Sequence, residues 1–327
     1  MTTALLISQD ILHLDPVAET ERIAASVRET VLGQCKRKGA IVAVSGGIDS
    51  SVVAALCTRA LGPERVIALF LPEADSSSES LRLGKKLAES LGIRSFTEDI
   101  TPILAGAGCY RRRDEAIRSV VPEYGDGYKS KIALPDLVSA DRYAIFGLVV
   151  QSPAGEIKKV RLSLDAYLGI VAATNFKQRA RKMMEYYYAD RFHYAVSGTP
   201  NRLEFDQGFF VKGGDGAADF KPIAHLYKSQ VYQLAAHLGV PEEIRQRPST
   251  TDTYSLEQSQ EEFYFSIPLA KMDLCLYGKE HAIPASALAP VVELTAEQVA
   301  RVYDMIEVKR KTTRYLHLAP VLVPTLD

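Results

Sequence analysis

Seven residues, Ser45-Gly46-Gly47-Ile48-Asp49-Ser50-Ser51, lie between two apolar runs, Ile41-Val42-Ala43-Val44 and Val52-Val53-Ala54-Ala55-Leu56. That order reads as a buried strand, a tight glycine turn and the first turn of a helix. The glycines let the backbone approach an anion closely. The helix start offers unpaired N–H groups and a partial positive charge, and the serines add hydroxyl donors. Such a turn is built to hold phosphate. It is not a Walker A loop, because no Gly-Lys-Ser/Thr follows the first glycines. The plainer alternative is a simple strand–helix connection.

The flanking segments extend the pattern. Residues 18–38 read as an amphipathic helix with Ile23, Val27, Val31 and Leu32 at helical spacing. Strand 41–44, helix 51–60, strand 66–71, helix 78–91 and strand 93–96 then alternate, with breaks at Gly62-Pro63 and Gly92. Alternation of this kind predicts an α/β fold, a doubly wound parallel sheet with helices on both faces. Its ligands sit beyond the carboxyl ends of the strands, where Ser45 to Ser51 fall.

Regularity breaks after Asp99. Gly106, Gly108, Arg111-Arg112-Arg113 and the stretch 122–127 read as loop. Tyr143 to Val150 and Lys158 to Leu164 read as two strands around Ser152-Pro153-Ala154-Gly155, a hairpin signal. Beyond come a helix from Asn175 to about Ala189, a strand at 194–196, a loop from Ser197 and a helix from Ser229 to Leu238. A final helix opens at Thr295, with Gln298 three residues on as a capping box.

Charge narrows the partners. Lys and Arg number 39 against 40 Asp and Glu, so nothing suggests general attraction to nucleic acid or to an anionic membrane. The basic runs at 111–113 and 309–311 have a plain reading as solvated faces, preferred for the first. Four cysteines lie far apart with no C-x-x-C pair, which argues against a zinc ribbon or dithiol site. Free thiols in a reducing cytoplasm are expected. No signal peptide or membrane-spanning run is evident. The six histidines lack metal-ligand spacing.

The loop at 45–51 resembles the SGGxDS loop of the N-type ATP pyrophosphatases, which grips the pyrophosphate end of ATP. Ser197-Gly198-Thr199-Pro200-Asn201-Arg202-Leu203-Glu204 resembles a GTxxxxE motif. Gly208-Phe209-Phe210-Val211-Lys212-Gly213-Gly214-Asp215-Gly216, with Asp219, resembles G(Y/F)xxKxGDGxxD, and Asn175 to Arg181 an N-x-K-x-R-x-R helix. Together these resemble the ammonia-using type of the NAD synthetase family, over about 18–99 and 175–280.

The resemblance implies an adenine nucleotide alpha-hydrolase-like fold and an ATP-dependent ligase that adenylates the nicotinate carboxylate of deamido-NAD and amidates it with ammonia. It implies Mg2+ on Asp49 and Glu204, and ATP held by Ser45, Gly46, Gly47, Asp49, Ser50, Ser51, Thr199, Lys228, Ser249 and Thr250. Arg179, Lys212, Asp215, Asp219 and Lys309 fall to the deamido-NAD side, with Asp49, Lys212, Asp215 and Lys228 in catalytic roles. It also implies a homodimer. Singly, these residues have plainer alternatives: a helix N-terminal carboxylate for Asp49, a surface pair for Glu204 and Lys228, a flexible turn for 213–216.

Two departures stand out. The stretch between Asp99 and Asn175 is longer than the family pattern, so 100–174 is expected to be an insertion within one synthetase domain spanning 1–327. It is either a decorated surface loop or a wall that changes the carboxylate accepted. In the C-terminal part, 280–327, Val308-Lys309-Arg310 stands for His-Lys-Arg, and Asp252 to Glu257 only partly matches a DE-x-x-LG segment. Val308 has no side-chain donor, whereas Lys309 can still supply charge. No glutaminase segment is evident, so free ammonia or a separate glutaminase is the expected nitrogen source. The rival readings are the same chemistry on another carboxylate, a tRNA-modifying pyrophosphatase, and a non-catalytic nucleotide-binding protein.

Overall fold

The computed structural model describes residues 8–133, 147–250, 253–256, 258–265 and 267–323. The chain opens with α1 (Pro16–Arg28), whose N-cap Asp15 accepts the N–H groups of Val17 and Ala18, and continues into a wider turn at Glu29–Gln34. There follow β1 (Ala40–Ala43), α2 (Ile48–Leu61), β2 (Val66–Phe70), α3 (Ser78–Leu91) and β3 (Arg94–Thr97). Ser77 caps α3 at its start, and Gly92 ends it in the left-handed region at φ 65°. Next come α4 (Thr101–Gly106), α5 (Cys109–Arg118), β4 (Lys129–Ala133), β5 (Gly147–Gln151), β6 (Ile157–Arg161) and the long α6 (Leu164–Phe192). The remainder is β7 (Ala195–Val196), α7 (Arg202–Gln207), α8 (Lys228–His237), α9 (Glu242–Gln246), α10 (Leu269–Glu280), α11 (Ala285–Val292) and α12 (Ala296–His317).

The main sheet is parallel, in the order β3-β2-β1-β7, with Ala40 opposite Val66 on one side and Ala195 on the other. Successive residues of a strand point to opposite faces. Ala40 and Val42 of β1 pack with α1, α2, α3 and α8, whereas Ile41 packs with Leu104, Tyr188 and Ala189 of α4 and α6. Both faces are therefore apolar, which is why β1 and β2 read as unbroken hydrophobic runs. A second core joins α10, α11 and α12 to Leu203 and Tyr227. Among the described residues, no helix is long and apolar enough to cross a membrane.

The doubly wound sheet matches the sequence expectation. The segment after Asp99 differs from it. The three arginines lie on α5, not in a loop, and Arg113 turns inward to Asp75 at 2.6 Å. Few apolar residues mark that helix, chiefly Cys109 and Ile117, so its period is faint. The expected hairpin is β5–β6, but β4 adds a third antiparallel strand, giving the order β4-β5-β6. Lys129-Ser130-Lys131-Ile132-Ala133 carries one large apolar residue and gave no strand signal. The expected strand positions 143–146 lie outside the described residues. The expected strand end at Leu164 is instead the start of α6, with Ser163 accepting from the Ala166 N–H.

Candidate active site

The glycine loop stands at the carboxyl end of β1. Gly46 has φ 75°, and a Cβ there would lie 2.3 Å from the Ser80 carbonyl oxygen, so only glycine fits. Gly47 is the N-cap of α2 and presents no side chain to the helix start. The loop's hydroxyls organise it from within. Ser50 donates to the Gly47 carbonyl at 3.1 Å and Ser51 to the same oxygen at 2.7 Å. The Gly47 N–H donates to Ser45 Oγ at 3.3 Å. Ser51 is fully buried, so its hydroxyl shapes the turn, while Ser45, Gly47, Asp49 and Ser50 line the adjoining cavity.

Asp49, in the first turn of α2, meets Lys228, the first residue of α8, in an ion pair. Asn201 Nδ2 donates to Asp49 Oδ1 at 3.0 Å. Asn201 is also the N-cap of α7: its Oδ1 accepts the Glu204 N–H at 3.1 Å, and its own N–H donates to Glu204 Oε2 at 3.1 Å. This capping box faces the Glu204 carboxylate toward Asp49. Gln260 Nε2 donates to the other Glu204 oxygen at 2.8 Å. Burial first, and the Asp49 charge second, push the Glu204 carboxyl up to about 8. Burial works against the Lys228 charge, but Asp49 and Glu204 outweigh it and raise its pKa.

Asp273 of α10 fixes the start of α8. Its two oxygens accept the Lys228 N–H at 3.1 Å and the Ser229 N–H at 2.7 Å. It therefore caps a helix from a different element, and burial raises its pKa to about 6. Among the described residues, no group of three or more His, Cys, Asp or Glu could hold a metal. A facing carboxylate pair suits Mg2+, which takes one or two carboxylates and completes its shell with phosphate and water.

The cavity has a volume of about 1490 Å³ and runs from the glycine loop to α12. Thr199, Ser249 and Thr250 line it beside the loop; Arg179, Lys212, Asp215 and Lys309 line its far part. The Arg179 Nε–H donates to the Lys212 carbonyl at 3.3 Å. Lys212 Nζ donates to the Tyr315 and Leu318 carbonyls, both at 2.9 Å, closing the end of α12. Asp215 accepts the Val211 N–H at 2.7 Å, and burial raises its pKa. Lys309 donates to the Tyr264 carbonyl and lies over the Tyr264 ring at 3.9 Å; burial pulls its pKa down to about 7.

Asp219 stands apart, at β7, where it accepts the Val196 N–H at 2.7 Å and the Tyr186 hydroxyl at 3.2 Å. Asn201, Gln260, Asp273 and the buried Lys182–Glu185 pair (2.6 Å, on the cavity wall) were not singled out from sequence. The Asn201-x-x-Glu204 spacing is a helix-start signal that could have found the first. The others carry no local signal. Of the Asp252 to Glu257 segment, positions 252 and 257 lie outside the described residues.

The NAD synthase family model matches residues 19–119 and 155–313, leaving 120–154 between the two ranges. An NH(3)-dependent NAD(+) synthetase of Mesorhizobium japonicum is 58% identical over 312 residues, 95% of this chain and 98% of that protein. A protein of the same name from Rhizobium meliloti is 56% identical, across 99% of this chain and 96% of its own. The solved structure of an NH3-dependent NAD synthetase from Campylobacter jejuni has a TM-score of 0.62 at 22% identity, covering 95% of this chain and all of that one. The last comparison speaks for the fold; the family match and the two high identities show that the chain belongs to the NAD synthase family.

Proposed function

We propose that this protein converts deamido-NAD, ATP and ammonia to NAD+, AMP and pyrophosphate. The observation that carries the reading is one cavity bordered by the glycine loop, by Asp49 and Glu204, and by the 208–215 loop, with Lys228 paired to Asp49 behind the cavity wall. Relatives at 54–58% identity that bear the name NH(3)-dependent NAD(+) synthetase support it.

A carboxylate does not react with ammonia at neutral pH, because oxide is a poor leaving group. In the first step a nicotinate carboxylate oxygen attacks the α-phosphorus of ATP. The bond to the β-phosphate oxygen breaks and pyrophosphate leaves. Ammonia then attacks the acyl carbon; the bond to the AMP oxygen breaks, and the nitrogen gives up a proton. Both steps are displacements that depend on positioning and charge neutralisation.

In this reading Ser45, Gly46, Gly47, Ser50 and Ser51 form the pyrophosphate cradle, with Ser51 and Gly46 shaping the turn that Gly47 and Ser45 present. Lys228, held on Asp49 behind the cavity wall, lends its charge to the triphosphate side, and Thr199, Ser249 and Thr250 address ATP from beside the loop. Asp49 and Glu204 would hold Mg2+, which supplies charge neutralisation to the phosphates when bound. Arg179, Lys212, Asp215 and Lys309 address the dinucleotide, and Asp219 supports that side through Tyr186. A homodimer accords with the family. The four unpaired cysteines accord with a reducing cytoplasm.

A second reading keeps the chemistry and changes the acid. It is favoured by the stretch 120–154, which lies between the ranges of the family match and contributes β4 and β5. Incubation with MgATP, ammonia and either deamido-NAD or a carboxylate panel separates the two. NAD+, AMP and pyrophosphate are expected in equal amounts. No turnover of deamido-NAD where another acid reacts would replace the first reading by the second, and release of ADP and orthophosphate would overturn both.

A further inference from the structure

Residues 253–256 and 258–260 are clamped at several points. At the apex they lie on β4. The Leu256 N–H donates to the Ser130 carbonyl at 3.2 Å, and the Ser130 N–H donates to Ser255 Oγ at 2.9 Å. Gln258 Nε2 donates to the Ile132 carbonyl at 2.5 Å, and Tyr254 packs into the apolar cluster of Ile132, Leu148 and Val150. At the base the Gln260 N–H donates to the Ser249 carbonyl at 3.0 Å, and Thr250 pairs antiparallel with Ser259. From that base Gln260 reaches Glu204. Lys177 of α6, 1% exposed, ties the same segment to the connection between β2 and α3. Its ammonium donates to the Thr253 carbonyl at 2.8 Å and meets Glu73 at 2.9 Å and Asp75 at 2.7 Å.

A continuous chain of bonds thus runs from the β4–β6 sheet through Ser255 and Gln258 to Gln260, Ser249 and Thr250, and ends on Glu204. A surface decoration needs no such chain. Buried amides such as Gln258, 3% exposed, and Gln260, 8% exposed, cost stability unless they bond in one arrangement, so the path is specific. Gln260 Oε1 is buried without a partner among the described residues, on a side chain that lines the cavity, and it is a free acceptor there.

We propose that the β4–β6 sheet is a brace for the MgATP side of the site, with Ser255 and Gln258 as positioning residues that hold Gln260 on Glu204 and keep Ser249 and Thr250 at the cavity wall. This rests on the assignment of Glu204 to the nucleotide side made above. The brace acts through geometry alone and touches no reacting atom.

The test uses the full chain and reads MgATP binding by calorimetry, without a second substrate, beside turnover and hydrogen exchange. The double variant Ser255→Ala/Gln258→Leu breaks two bonds to β4, and MgATP affinity is expected to fall about tenfold. Amide exchange at 253–260 is expected to accelerate, and KM for deamido-NAD to stay within about twofold. Ser255→Thr, which keeps the acceptor hydroxyl, is expected to restore affinity against Ser255→Ala. Lys159→Ala, on the exposed face of β6, serves as the unchanged control. If the double variant does not fold, the Ser255→Ala and Ser255→Thr pair is read in the same way. Unchanged MgATP affinity alongside faster exchange overturns the brace. So does a parallel loss of affinity for both substrates that simply follows the melting temperature. Wild-type protein that binds MgATP but leaves deamido-NAD untouched overturns the functional reading alone.

Discussion

The ammonium of Lys228, at the first position of α8, donates to the carboxylate of Asp49, in the first turn of α2. Two helix starts therefore converge on one point: that of α2 lines the cavity, and that of α8 backs it through Lys228. Between them stands a lysine whose neighbours keep it charged. The half-buried Asp49 and the buried Glu204 balance that charge, so the lysine is not left unpaired.

Truncating either partner tests that pairing. Asp49→Ala leaves the Lys228 ammonium buried with only Glu204 near it, and stability is expected to fall by about 3 kcal/mol. Urea denaturation measures it. Turnover is expected to fall by about 10²–10³ or more, since the variant also loses a carboxylate that would hold Mg2+ at the phosphates. Wild-type stability in Asp49→Ala would show that the pair contributes nothing to folding.

Gly46→Ala places a Cβ against the Ser80 carbonyl and strains a positive φ. About 1–3 kcal/mol of stability is expected to be lost. ATP affinity should fall with it, because α3 and the phosphate loop must separate to make room. Gly92→Ala is the comparison: its φ is 65° but nothing lies within 4 Å of the added carbon, so only the backbone strain is felt, and nucleotide affinity should not change.

Asp273→Ala removes the acceptor for the Lys228 and Ser229 N–H groups. A lost helix cap costs about 1–2 kcal/mol. Because the same turn carries Lys228, KM for ATP is expected to rise while KM for deamido-NAD holds. Asp273→Asn, which retains one acceptor oxygen, should recover part of both effects.

Lys309 gives a pH signature. Burial depresses its pKa to about 7, below its unfolded value near 10.5. Between those values the unfolded chain binds one more proton than the folded chain, so its contribution to stability rises with pH across that window. Lys309→Met removes the term. Thermal melts from pH 6 to 9 should show the variant gaining most over wild type at the acid end, with the gap closing toward pH 9. A gap independent of pH would mean that the amine stays charged.

The parts of this molecule that were legible in the sequence are those whose signal is local. β1, the glycine loop and α2 are contiguous, and burial on both faces makes the strand an uninterrupted apolar run. The caps of α3 and α12 stand beside the elements they define. Glu204 and Lys212 could be singled out because the motifs that carry them are contiguous too. By contrast, Asp273 caps a helix that begins 45 positions before it, and Gln260 meets Glu204 across 56 positions. Neither pairing leaves a period or a spacing to read. α5 hid behind its arginines, and β4 behind alternating lysines, since each contributes only one or two large apolar groups to the shared core.

A space of about 1490 Å³ beside the phosphate loop accommodates on the order of fifty water molecules at ~30 Å³ each. Two large substrates entering it send most of that solvent back to bulk. Their association should therefore carry a negative heat-capacity change, so that the heat of binding becomes more exothermic as the solution is warmed.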